Sequence, residues 1–129
     1  MSTDSKHIEI KLDADPRFAA AAAGGARYLG EACGLSTDDA GKFQAAVLFA
    51  CEETFAIVDM MHLQVEVCLN QFPDRIEVDI LHHADGPSIG LHTLLNAGSN
   101  PMEGVDRVQY EKKSDASITR LTKFLGPHA

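Results

Sequence analysis

The chain has 129 residues, a formal net charge of −8 and a hydrophobic fraction of 45%. This length corresponds to a single domain, 1–129, with its own hydrophobic core. The acidic balance argues against nucleic acid or an anionic membrane surface as a partner, and no apolar run is long enough to span a bilayer. The start, MSTDSKHIEIK, shows no apolar segment after a basic one, so we expect a cytoplasmic protein.

The first two predicted elements are a strand and a helix. His7–Leu12 alternates polar and apolar residues, which is typical of a half-buried strand. Asp15-Pro16 then predicts the start of a helix over Arg17–Cys33, and Gly34 predicts its end. Within this helix, Gly24-Gly25 indicates close packing on a neighbour rather than a phosphate-binding loop, because no strand immediately precedes the pair.

A long helix over Lys42–Met61 is predicted to be the central element. Ser36–Asp39 provides its N-cap and an acidic first turn. The helix is apolar nearly all round, so we expect it to be covered on both sides. Glu53 lies in the middle of its apolar stripe, and Ile57 follows four residues later on the same face. A buried carboxylate needs a partner, so Glu53 is the first candidate functional residue.

The remaining elements are two hairpins separated by a loop and a short helix. Leu63–Leu69 and Arg75–Leu81 alternate around a turn that contains a proline, and His82–Pro87 is predicted to leave the sheet as a loop. The later elements are a short helix over Ser88–Ala97 and a closing hairpin formed by Val105–Lys112 and Ser117–Phe124. The fold class is therefore α+β, with helices on one face of a mixed, mainly antiparallel sheet of about five strands.

This order, with the segments IEIKL, STDDAGKFQAAV, FACEET and DRIEVDI, resembles the anti-sigma factor serine kinases of the RsbW and SpoIIAB type. They belong to the GHKL superfamily of histidine kinase-like ATPases. The resemblance covers nearly the whole chain and implies a Bergerat-type α/β sandwich. It also implies a nucleotide cleft with ATP and Mg²⁺ as cofactors if the site is functional.

The nucleotide motifs of that family are degraded in this sequence. The family has a catalytic Glu followed four residues later by an Asn that holds Mg²⁺, and here Glu53 is followed by Ile57, which has no oxygen for a hard cation. The adenine-binding Asp-x-Gly register falls on His82-His83-Ala84, with Asp85-Gly86 just beyond. The lid is short, and Gly90 remains from its glycine-rich helix start. We expect no bound cofactor.

Two readings of Glu53 stay open. It is a remnant of the catalytic carboxylate, or it is a buried acid paired with His62, Arg75 or a backbone N–H group. His82, His83, Asp85 and His92 resemble a metal-ligand set, but adjacent residues on an extended segment point in opposite directions. We therefore expect two partly exposed loop histidines and no metal site. Cys33, Cys51 and Cys68 are predicted to be buried, reduced thiols.

The sequence leaves two main function classes. The first is a regulatory module that binds a sigma factor, an anti-anti-sigma protein or another signalling domain, and forms homodimers as the resembled kinases commonly do. The second is an active ATP-dependent serine/threonine kinase that phosphorylates an anti-anti-sigma protein. A third reading is an unrelated small-molecule pocket in the former nucleotide cleft.

Overall fold

The computed structural model describes residues 6–13, 15–59, 64–83, 102–113 and 116–126. These form β1 (Lys6–Leu12), α1 (Pro16–Ala32), α2 (Thr37–Asp59), β2 (Val65–Gln71), β3 (Arg75–His82), β4 (Arg107–Lys113) and β5 (Ala116–Phe124). The strands make one sheet in the order β1-β2-β3-β5-β4, and every pairing is antiparallel. The predicted α+β fold is confirmed, with both hairpins in the same sheet, but among the described residues this sheet is wholly antiparallel rather than mixed. The predicted short helix over Ser88–Ala97 lies outside the described residues.

The predicted helix ends are confirmed by their hydrogen bonds. At the start of α1, the Asp15 carboxylate accepts a bond from the Arg17 N–H group at 2.9 Å. At the start of α2, the Ser36 hydroxyl accepts a bond from the Asp39 N–H group at 3.0 Å. Gly34 ends α1 with a φ of 103°, a left-handed conformation that glycine adopts without strain.

The sheet separates an apolar face from a charged face. The period-two alternation of β2 and β3 places one set of side chains in the core under the helices. The buried members are Val65, Val67, Leu69, Ile76, Val78 and Ile80. The opposite face, called the outer face below, carries charged and polar side chains such as Glu66, Glu77 and Asp79, as the alternation predicts.

Helix α2 is not covered on both sides, so that prediction is wrong. The helix packs on α1, β2 and β3. Its side chains facing these elements are fully buried: Ala40, Phe43, Ala46, Val47, Ala50, Cys51 and Thr54. A stripe through Ala45, Glu52 and Ala56 is exposed. Alanine is compatible with either environment because its side chain is small, so its presence on every side of the helix did not require burial on every side.

The sequence predicts that a neighbouring group packs closely on α1 at Gly24-Gly25, but among the glycines of α1 the closest contact is at Gly30. A Cβ added to Gly24 would meet nothing within 4 Å, and one added to Gly25 would make an ordinary contact at 3.5 Å with Leu69. A Cβ at Gly30 would lie 2.9 Å from the Leu35 side chain, which folds back over the end of α1. Gly24 and Gly25 are nevertheless helical rather than part of a phosphate loop, as predicted.

Candidate functional site

Glu53 lies at the border of the buried side of α2. Ala50 and Thr54 are fully buried, whereas Glu52 and Ala56 are exposed. Each residue turns the helix by about 100°, which places Glu53 between these two groups. Its side chain is half-buried rather than largely buried as predicted. A half-buried carboxylate can reach a ligand or partner without bearing the full cost of desolvation.

Arg75 is not the partner of Glu53. Its guanidinium group binds the carboxylates of Asp74 and Glu77, at 2.8 Å and 2.7 Å respectively. His62, the other side-chain partner considered from the sequence, lies outside the described residues. The choice between a remnant catalytic carboxylate and a structural acid therefore stays a prediction.

The backbone of α2 confirms the prediction that Glu53 and Ile57 lie on the same face of one helix. Helix α2 is unbroken from Thr37 to Asp59, so the two positions lie one turn apart on the same face. No bulge shifts another residue into the position four after Glu53. In the register that the family resemblance implies, the metal-holding position carries an isoleucine.

His82 is the last residue of β3 and is fully buried, so the prediction of two partly exposed loop histidines is wrong for this residue. The strand continues to His82 because β5 is long enough to pair with it through Ser117. His83 is exposed, in agreement with the predicted opposite directions of the two side chains. Burial, with a smaller contribution from His83, lowers the pKa of the His82 imidazole from its ordinary value of 6.5.

A buried polar cluster surrounds this end of the sheet. Ser117 and Thr119 on β5 face the same side as His82, and both are at most 2% exposed. The Tyr110 hydroxyl lies 3.2 Å from the Ser117 hydroxyl. These hydroxyls were not among the residues predicted from the sequence, although the alternation of Ser117, Thr119 and Leu121 indicates that all three face the core. The side chains of His82, Ser117, Thr119 and Tyr110 offer hydrogen-bonding groups, and none of these four carries a carboxylate.

Three candidate site residues, Asp85, Gly86 and Gly90, lie outside the described residues, as does His92. Their predicted positions along the nucleotide cleft stay predictions. Within the part of the chain that is described, no helix is long and apolar enough to cross a membrane.

Comparisons with known proteins give a likeness in fold. No family model matches the chain, and no curated protein matches it. Among solved structures, the chain is similar to the crystal structure of the RsbU and RsbW domains of Rv1364c from Mycobacterium tuberculosis, with a TM-score of 0.67 and 13% identity. The match covers 95% of this chain and 33% of that one, so this chain spans about a third of its neighbour's length.

Proposed function

We propose that this chain is a regulatory protein-binding module of the anti-sigma factor type with impaired nucleotide binding. The observation that carries the proposal is the unbroken course of α2 through Glu53 and Ile57. It keeps a residue without oxygen at the position that holds Mg²⁺ in the resembled kinases. Without Mg²⁺ to neutralise part of its charge, a triphosphate would be repelled by a chain of net charge −8.

The proposed partners are a sigma factor, an anti-anti-sigma protein or another signalling domain. The likeness to a structure that contains an RsbW domain supports this class of partner through the fold. A homodimer is part of the proposal, since β1 is an edge strand and its Ile8 is 53% exposed. If light scattering finds only monomers at high micromolar concentration, the homodimer part of the proposal is wrong.

One observation favours the second candidate, an active serine/threonine kinase. Because β3 continues to His82, the following loop begins at His83 rather than at His82. Asp85 is then two positions beyond the first loop residue, and a slip of two residues would bring it to the Asp position of the Asp-x-Gly motif, with Pro87 at the glycine position. A divergent adenine contact through Asp85 and Gly86 is therefore the main alternative to a degraded site.

A binding experiment separates the two candidates. Purified sigma factors and anti-anti-sigma proteins from the source organism are tested for complex formation with and without Mg²⁺-ATP, and phosphate transfer is followed with labelled ATP. The proposal predicts one stable complex whose affinity is unchanged by Mg²⁺-ATP, and no labelled partner. Labelling of an anti-anti-sigma protein that is lost in Glu53→Ala would establish the kinase instead.

A further inference from the structure

The outer face of the sheet contains a region in which acidic groups are matched by arginines. Arg120 binds the Asp79 carboxylate at 2.8 Å and lies 3.7 Å from carboxylate oxygens of Glu77 and Glu111. Arg75 adds a second bond to Glu77 at 2.7 Å. Over β3, β4 and β5, the charges on this face therefore compensate one another.

A second region of the same face, on β1 and β2, carries two glutamates, Glu9 and Glu66, and one lysine, Lys11. Glu9 lies directly opposite Cys68, and Glu66 precedes Cys68 by two residues on the same side. The Cys68 Sγ atom and one oxygen of each carboxylate all lie within 4.8 Å of one another. Among the described residues, no lysine or arginine forms an ion pair with Glu66, although Lys11 is its neighbour across the strands.

A histidine lies beside this cluster. The His7 Nε2 atom lies 3.3 Å from the Glu9 carboxylate, on the same side of β1. Asp79 lies directly opposite Cys68 on β3, as Glu9 does on β1, so carboxylates flank the thiol on both neighbouring strands.

We propose that Glu9, Glu66 and Cys68 form a binding site for a borderline divalent transition metal such as Zn²⁺. One sulfur and two carboxylate oxygens suit such an ion better than Mg²⁺ or Ca²⁺, which prefer oxygen ligands alone. On binding, the thiol proton passes to solvent and the thiolate joins the metal. His7 is placed to hold Glu9 or to complete the coordination.

The geometry requires only small movements of side chains. Ligand atoms around a tetrahedral Zn²⁺ ion lie about 3.5 Å apart, given metal–ligand distances of about 2.0–2.3 Å. The three ligand atoms are already within 4.8 Å on two hydrogen-bonded strands, so rotation about side-chain bonds closes the remaining distance. The metal would join edge strand β1 to β2.

Titration of the reduced full chain with Co²⁺ tests the site, because thiolate coordination produces a charge-transfer absorption band. We expect the band in the wild-type protein, its removal by added Zn²⁺, and its loss in Cys68→Ser. Glu66→Gln and Glu9→Gln should each weaken Co²⁺ binding by about tenfold or more. The matched control is Cys33→Ser, which removes another half-buried free thiol on a different element and should leave the band unchanged.

Three results would overturn the assignment: no band in the wild type, a band that persists in Cys68→Ser, or equal Co²⁺ affinity in the wild type and both glutamine variants. Circular dichroism checks that each variant is folded. Glu9 is exposed on an edge strand, so Glu9→Gln keeps the test decisive if Cys68→Ser does not fold.

Discussion

At the scale of single residues, Ile57 is the position where one substitution is most informative. Ile57→Asn supplies the amide oxygen found at this position in the resembled kinases. Because the adenine register and the lid also diverge, we expect no rise in melting temperature when Mg²⁺-ATP is added. Ile57→Val is the control. A rise of several degrees in the asparagine variant alone would mean that a single residue had inactivated an otherwise intact site.

The lowered pKa of His82 leads us to expect that the stability of the protein depends on pH. Its folded-state pKa lies below the ordinary value of 6.5, so the unfolded chain binds the extra proton first. The free energy of unfolding should therefore fall as the pH drops below about 6.5, and level off once it passes the folded-state pKa. Urea unfolding across this interval measures the slope.

The matching variants are His82→Asn and His7→Asn. The first should flatten the slope below about pH 6.5, because the buried imidazole is gone. The second removes an exposed histidine of β1 and should leave most of the slope in place. Equal slopes in the wild type and His82→Asn would show that His82 does not control the acid response.

The predicted strand Arg75–Leu81 ends one residue before His82, whereas β3 includes His82, and the difference has a physical reason. The alternation of Arg75–Leu81 is local, but the end of β3 depends on how far β5 pairs with it. That pairing joins His82 to Ser117, 35 residues later in the chain, and local periodicity does not report it. The half-burial of Glu53 was not predicted for a similar reason. Helical spacing indicates the side of α2 on which a residue lies, but not how much of the helix circumference its neighbours cover.

At the scale of elements, the segment before β4 is held against the start of α2. Met102 is 5% exposed, and Gly104 is buried against the backbone of Lys42 and Phe43. A Cβ at Gly104 would overlap the Lys42 carbonyl and lie 2.6 Å from the Phe43 nitrogen. The contact at Gly104 is between two backbones, so space for an added Cβ could be made only by moving the whole segment away from α2.

We therefore expect Gly104→Ala to lower the free energy of unfolding by about 3 kcal/mol or more. The control is Gly41→Ala within α2, where an added Cβ would meet nothing within 4 Å. That change should stabilise the protein by about 0.5–1 kcal/mol, because alanine favours the helix. Chemical denaturation of both variants measures the difference, and a Gly104→Ala protein as stable as the wild type would show that this segment is not tightly docked.

The helix ends were predictable because their signals are short-range. The Asp15 and Ser36 caps each act within three residues, and Gly34 follows the last turn of α1. The close approach at Gly30 was not predictable in this way, because it depends on Leu35 folding back and on Phe43 of the next helix. Contacts between elements are absent from the local pattern.

At the scale of the whole molecule, alternation and helical periodicity were enough to predict two layers and five strands. The strand order was not part of that prediction. Strand β5 pairs between β3 and β4, so the closing hairpin joins the sheet through its second strand. The residue pattern of each strand would be the same whether β4 or β5 paired with β3. Packing of the whole chain selects β5.

The proposal made above is that this chain acts through protein contact and does not bind ATP in the manner of the resembled kinases. Isothermal titration calorimetry of the full chain with ATP and Mg²⁺ tests it most directly. We expect no binding heat at micromolar concentrations. Micromolar affinity that is lost in Glu53→Ala or in Asp85→Ala would instead show a divergent but functional nucleotide site.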